Sequence, residues 1–117
     1  MEQFVPDVSN SDVERIIERD FPQDQREEIR ALVRKLEVRE KARVVLACLK
    51  NSGGNLQKLT YYLGEASGYY REHIGEAEYP NYMKKIFRID ELSESEKSTI
   101  FEKDRAQYVA WLLREAK

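Results

Sequence analysis

Between Leu56 and Glu78 the chain places four tyrosines, four glutamates, three glycines and a histidine at helical spacing. At about 100° per residue they divide into separate faces of one helix. The first is acidic and aromatic, with Tyr61, Tyr62, Glu65, Tyr69, Glu72 and Glu76. Carboxylates one and two turns apart, with His73 beside them, are the donor types that a divalent cation accepts. His73 is the one histidine in the sequence, however, and no H-E-x-x-H pattern or EF-hand loop accompanies it. A solvated acidic face is the simpler reading, and neither a metal nor any other cofactor is expected.

The second face carries Gly64, Gly68 and Gly75, with Arg71 between them and Glu78 at its end. A glycine inside a helix costs about 1 kcal/mol relative to alanine, so three on one side imply a gain elsewhere if the helix is unbroken. One reading is a groove that receives another helix, from the same bundle or from a partner chain. The other is that the glycines mark local bends in an irregular helix.

Other chemistry is thinly represented. Cys48 stands alone within the apolar run Val44 to Leu49, which excludes an internal disulfide and makes the thiol a small core group in a reducing compartment. No G-x-S-x-G motif is present, and Cys48 and His73 fall in different predicted helices. The turn GGNLQK lacks the remaining residues of a phosphate loop. Arg26, Arg30 and Arg34 follow helical spacing, but Glu27 and Glu28 interrupt them, so nucleic-acid binding is disfavoured. A net charge of −2 supplies no global field toward polyanions.

Helices must position all of these groups. With five glycines, three prolines and charged residues at helical spacing through most of its 117 residues, the chain reads as one all-α domain, a single bundle of five or six helices after an irregular arm at residues 1–10. Ser11 with Glu14 predicts a capping box for the first helix, which buries Val13, Ile16 and Ile17 and ends before Pro22. A second helix starts near Gln23 and breaks near Glu37. The run VVLACL suits a buried strand or a helix, and its charged flank EKAR favours helix as far as about Lys50. Asn55 caps the long helix to Glu78. A short helix from Pro80 is expected to bury Tyr82, Met83, Ile86 and Phe87, and Ser93 with Glu96 opens a last helix to about Glu115.

Three stretches, RVVLACLKNSGGNLQKL, YREHIGEAEYP and DRAQYVAWL, resemble a group of small uncharacterised bacterial proteins. The match covers roughly the last seventy residues, including Tyr70, Arg71, Glu72, Ala77 to Pro80, Asp104, Gln107, Tyr108, Trp111 and Leu112. Tyr69, Glu76 and the helix glycines depart from that pattern. The resemblance implies a shared helical fold and carries no activity, ligand or site residue. At the matching positions Tyr70 and Tyr108 lie on core stripes, with Arg71 and Asp104 at their margins. Buried polar groups require partners, so a polar clamp is expected in which Arg71 pairs with Asp104 or Glu78 beside the two tyrosines.

These readings converge on a cytoplasmic helical interaction module, acting on a protein partner or on itself as a regulatory subunit or an immunity- or antitoxin-like neutraliser. No segment approaches the ~20 apolar residues of a membrane span. The alternatives are a small-ligand site or enzyme in which Tyr70, Arg71, Glu72 and Glu78 converge on a pocket, and a weak nucleic-acid binder.

Overall fold

The computed structural model describes residues 4–115; the first three residues of the expected arm and the last two of the chain lie outside them. Six helices follow in order, α1 Asn10–Asp20, α2 Gln23–Lys35, α3 Lys41–Ser52, α4 Leu56–Glu78, α5 Pro80–Lys85 and α6 Glu94–Leu113, with a 3-10 stretch Ile86–Glu91 between the last two. The all-α bundle expected from the periodicity is the fold, and VVLACL lies inside α3.

Local chemistry sets the boundaries. The α1 capping box is Ser9 with Asp12, whose carboxylate accepts from the Ser9 backbone N–H at 2.9 Å, two residues ahead of the expected Ser11 and Glu14 pair. Pro22 separates α1 from α2. The break near Glu37 is a connection over residues 36–40 that closes on Glu40 in the left-handed region at φ 50°. Gly53, at φ 60°, ends α3 where a Cβ would be strained.

Val13, Ile16 and Ile17 of α1, Ile29 of α2, Val44 to Leu46 with Cys48 and Leu49 of α3, and Leu59, Leu63 and Ala66 of α4 form the core. Cys48 is fully buried, and burial pushes its thiol up to about 12. The native chain should therefore resist a thiolate-selective reagent at pH 8 and react only as it opens. The labelling rate should rise in step with the unfolded fraction across a urea titration, whereas fast labelling in buffer would contradict the packing.

The chain ends are tied together. Arg15 donates to the Leu112 carbonyl at 2.8 Å, and Arg19 to those of Trp111 and Arg114 at 2.6 and 3.0 Å. These carbonyls lie in the last turn and C-cap of α6, where few intrahelical donors remain; the Trp111 carbonyl also accepts from the Arg114 backbone N–H at 3.3 Å. Asp20 holds the Arg19 guanidinium in a fork at 2.7 and 2.9 Å, and the same guanidinium lies over the Trp111 ring. Residues 4–9 are irregular, as expected, but they are pinned: Pro6 is buried, Phe4 meets Tyr108 edge-on, and the Tyr79 hydroxyl donates to the Phe4 carbonyl.

Candidate functional site

α4 is bent at Tyr69, whose φ of −122° and ψ of 27° leave the helical region. The rings of Tyr62 and His73 meet at 5.2 Å. In a straight helix these two residues would be about 16 Å apart along the axis, so the helix must turn one half toward the other. Gly68 immediately precedes the bend, which fits the irregular-helix reading of the glycines.

The helix-receiving groove is not formed within the fold. A Cβ added at Gly64 or Gly68 would have nothing within 4 Å, and both positions are exposed. Gly64 borders a cleft of about 530 Å³ against Leu32 and Leu36. Gly75 alone is a close approach, where a Cβ would stand 3.2 Å from the Met83 sulfur. Gly64→Ala should therefore stabilise the fold by about 1 kcal/mol, the helix-propensity difference with no steric penalty. Urea denaturation checks this, and a destabilised variant would mean that the face is occupied.

The acidic and aromatic face is divided by the bend. Tyr61 and Tyr69 are 62% and 56% exposed, Glu72 and Glu76 are exposed, and Glu65 is half-buried. The neighbouring Glu65 carboxylate lifts the Tyr61 phenol above the ordinary value. Tyr62 and His73 instead turn inward. Among the described residues no three His, Cys, Asp or Glu side chains gather as a metal ion would need.

The polar clamp is built from other residues than expected. Arg71 is exposed and bonds only locally, donating to the Tyr70 hydroxyl at 3.3 Å and lying over the same ring. It pairs with neither Asp104 nor Glu78. The partner of Glu78 is Arg43 at the start of α3, whose guanidinium reaches both carboxylate oxygens at 2.7 and 2.8 Å. Glu78 is fully buried, and burial lifts its carboxyl above the ordinary carboxylate value against the opposing pull of Arg43. Asp104, also fully buried, accepts from the Asn81 backbone N–H at 2.8 Å, the Asn81 amide at 2.9 Å and the Tyr82 N–H at 3.0 Å. It caps α5. Tyr108 is buried with its ring against Trp111, and its hydroxyl has no partner among the described residues.

The physical reason for the exchange is geometric. Arg71 lies on the outer side of α4 after the bend, while Pro80 opens a new helix whose first N–H groups need an acceptor. Asp104 supplies it from α6, and Gln107 one turn later donates to the Ala77 carbonyl at 2.9 Å. The α4–α5 junction is thus gripped from α3 by Arg43 and from α6 by Asp104 and Gln107. The four residues of the expected ligand pocket do not converge, since Arg71 and Glu72 are exposed while Glu78 is sealed against Arg43.

That grip fixes a surface which the periodicity assigned to the core. Tyr82 stacks on Phe101 with ring centres 5.6 Å apart, but Met83, Ile86 and Phe87 are 39%, 37% and 100% exposed. After Lys85 the chain tightens into the 3-10 stretch, and no element among the described residues covers Phe87, which is fully exposed. Lys84, Lys85 and Arg88, all exposed, flank the apolar side chains, and Arg88 pairs with Glu91 at 2.9 Å. Among the described residues the ridge is apolar, with its unpaired basic charge at Lys84 and Lys85.

Two further features lack a ligand-binding character. A cavity of about 550 Å³ is lined by Arg19, Lys50, Gly53, Trp111 and Arg114 among others, but it lies where α1, α3 and α6 all end. Two of its cations are already engaged, Arg19 with the Trp111 and Arg114 carbonyls and Arg114 with the Asp20 carboxylate. The arginine stripe of α2 is likewise engaged: Arg26 donates to the Phe21 and Glu18 carbonyls, and Arg30 pairs with Glu14 and Glu27. Comparison with known proteins matches the chain to no family model, no curated protein and no solved structure. No helix among the described residues is long and apolar enough to cross a membrane.

Proposed function

We propose that the chain is a protein-interaction module that docks through the ridge Met83 to Arg88. A fully exposed phenylalanine beside two other exposed apolar side chains carries this reading. Scattered apolar residues on a surface need no explanation, but a contiguous group held out by a buried anchor does. Aromatic residues and methionine are enriched in interface cores, and a polar rim is their usual surround. Lys84, Lys85 and the Arg88–Glu91 pair provide that rim, and the two lysines favour a partner surface with an apolar pocket edged by carboxylates. Such a module suits a regulatory subunit or an immunity- or antitoxin-type neutraliser. The lone buried thiol fits a reducing compartment such as the cytoplasm.

The test is recovery of the tagged chain from cells of its source, alongside Phe87→Asp and Gly68→Leu variants with unchanged helical circular dichroism. A stoichiometric partner should accompany the native chain and Gly68→Leu, and its recovery should fall at least tenfold with Phe87→Asp. Undiminished recovery with Phe87→Asp would remove the ridge as the docking surface.

A further inference from the structure

The bend of α4 leaves a second exposed surface whose chemistry is the complement of the ridge. Tyr61 and Tyr69 offer aromatic area at 62% and 56% exposure, with Glu72 and Glu76 exposed beyond the bend. The ridge offers Phe87 and Ile86 flanked by Lys84, Lys85 and Arg88. Arg88 is already paired with Glu91 at 2.9 Å, so the free charge on the ridge is that of Lys84 and Lys85, opposite in sign to Glu72 and Glu76, beside which only Arg71 stands as an exposed cation among the described residues of the face beyond the bend. Neither gathers a metal or folds into a ligand pocket.

We infer that the occupant of the ridge is a second copy of this chain, which presents its acidic and aromatic α4 face. This inference rests on the docking role proposed for the ridge and names its partner. Phe87 and Ile86 of one copy lie against Tyr61 and Tyr69 of the next, while Lys84 and Lys85 face Glu72 and Glu76. The two patches differ, so the contact is heterologous: a pair closes if each copy uses both patches at once, and otherwise the contact repeats along a chain. Opposed charges of this kind speed association and weaken as salt rises.

Sedimentation velocity of the purified full chain tests this, from micromolar to millimolar protein in low and high salt. The native chain should associate in low salt and shift toward monomer in high salt. Lys84→Glu/Lys85→Glu and Glu72→Lys/Glu76→Lys should each be monomeric at concentrations where the native chain associates. Mixed together, they should form a complex, because each supplies the charge that the other has reversed. A native chain that stays monomeric at millimolar concentration in low salt, or charge-reversed variants that associate like it, would overturn the inference. A monomeric native chain whose Phe87→Asp variant still loses a partner from cells would leave the docking role standing with a different occupant. Failure of both experiments would remove the two together.

Discussion

Glu78→Ala is expected to destabilise the chain by about 3 to 5 kcal/mol in urea denaturation, the range for removing one member of a buried ion pair. The reason is the charge left behind. Arg43 is largely enclosed, with 15% of its side chain exposed, and its fork is satisfied by both Glu78 oxygens. Without that carboxylate it keeps its charge, loses both close bonds, and retains only the exposed Glu40 carboxylate at 3.3 Å. A loss of that size approaches the whole stability of many domains. The double substitution Arg43→Met/Glu78→Leu should lie within about 1 kcal/mol of the native chain, because apolar replacements remove both desolvation penalties together. A double variant as unstable as Glu78→Ala would show that the pair contributes more than its own neutralisation.

The pH dependence follows from the same carboxylate. Burial raises its folded pKa above the ordinary carboxylate value, so within that interval the folded chain holds a proton that the unfolded chain has released. Stability then falls as pH rises through the interval. The native chain should show this decline and Arg43→Met/Glu78→Leu should lack it.

Asp104→Ala should cost about 2 to 4 kcal/mol, since three donors lose a charged acceptor. Two of them are backbone N–H groups of the first turn of α5, so the damage should be local as well as global. Hydrogen exchange over residues 80–91 should accelerate more than in the core of α3. Asp104→Asn retains one acceptor oxygen and should lose roughly half as much. Uniform acceleration across all helices would mean that Asp104 supports the bundle generally and does not anchor the ridge.

The helices were legible in the sequence because their apolar residues repeat at the helical period and their caps are local. Ser93 with Glu96, Asn55 and Pro22 all act within one turn of themselves. The clamp was half legible. Asp104 stood out as a charge beside a core stripe and Glu78 at the end of the glycine face, and both are buried, but a carboxylate's partner depends on which helices cross. Arg43 lies 35 residues from Glu78, and its signal was its place at the head of the apolar run of α3, where no long side chain can avoid the core margin. Arg71 shared a helix with Glu78 yet is carried outward past the bend.

Phe87 failed for a different reason. Its spacing from Met83 and Tyr82 is helical, but periodicity identifies a common face without identifying what covers it. The glycines were ambiguous because both a groove and a bend use the same residue, and Tyr69, which takes the non-helical conformation, carries no signal of its own.

Docking through Phe87 is tested most directly by site-specific photo-crosslinking in cells, with the probe amino acid at position 87 in one variant of the full chain and at exposed position 28 of α2 in another. A discrete adduct from position 87 and none from position 28 is the expected result, whereas no adduct from position 87 would contradict it.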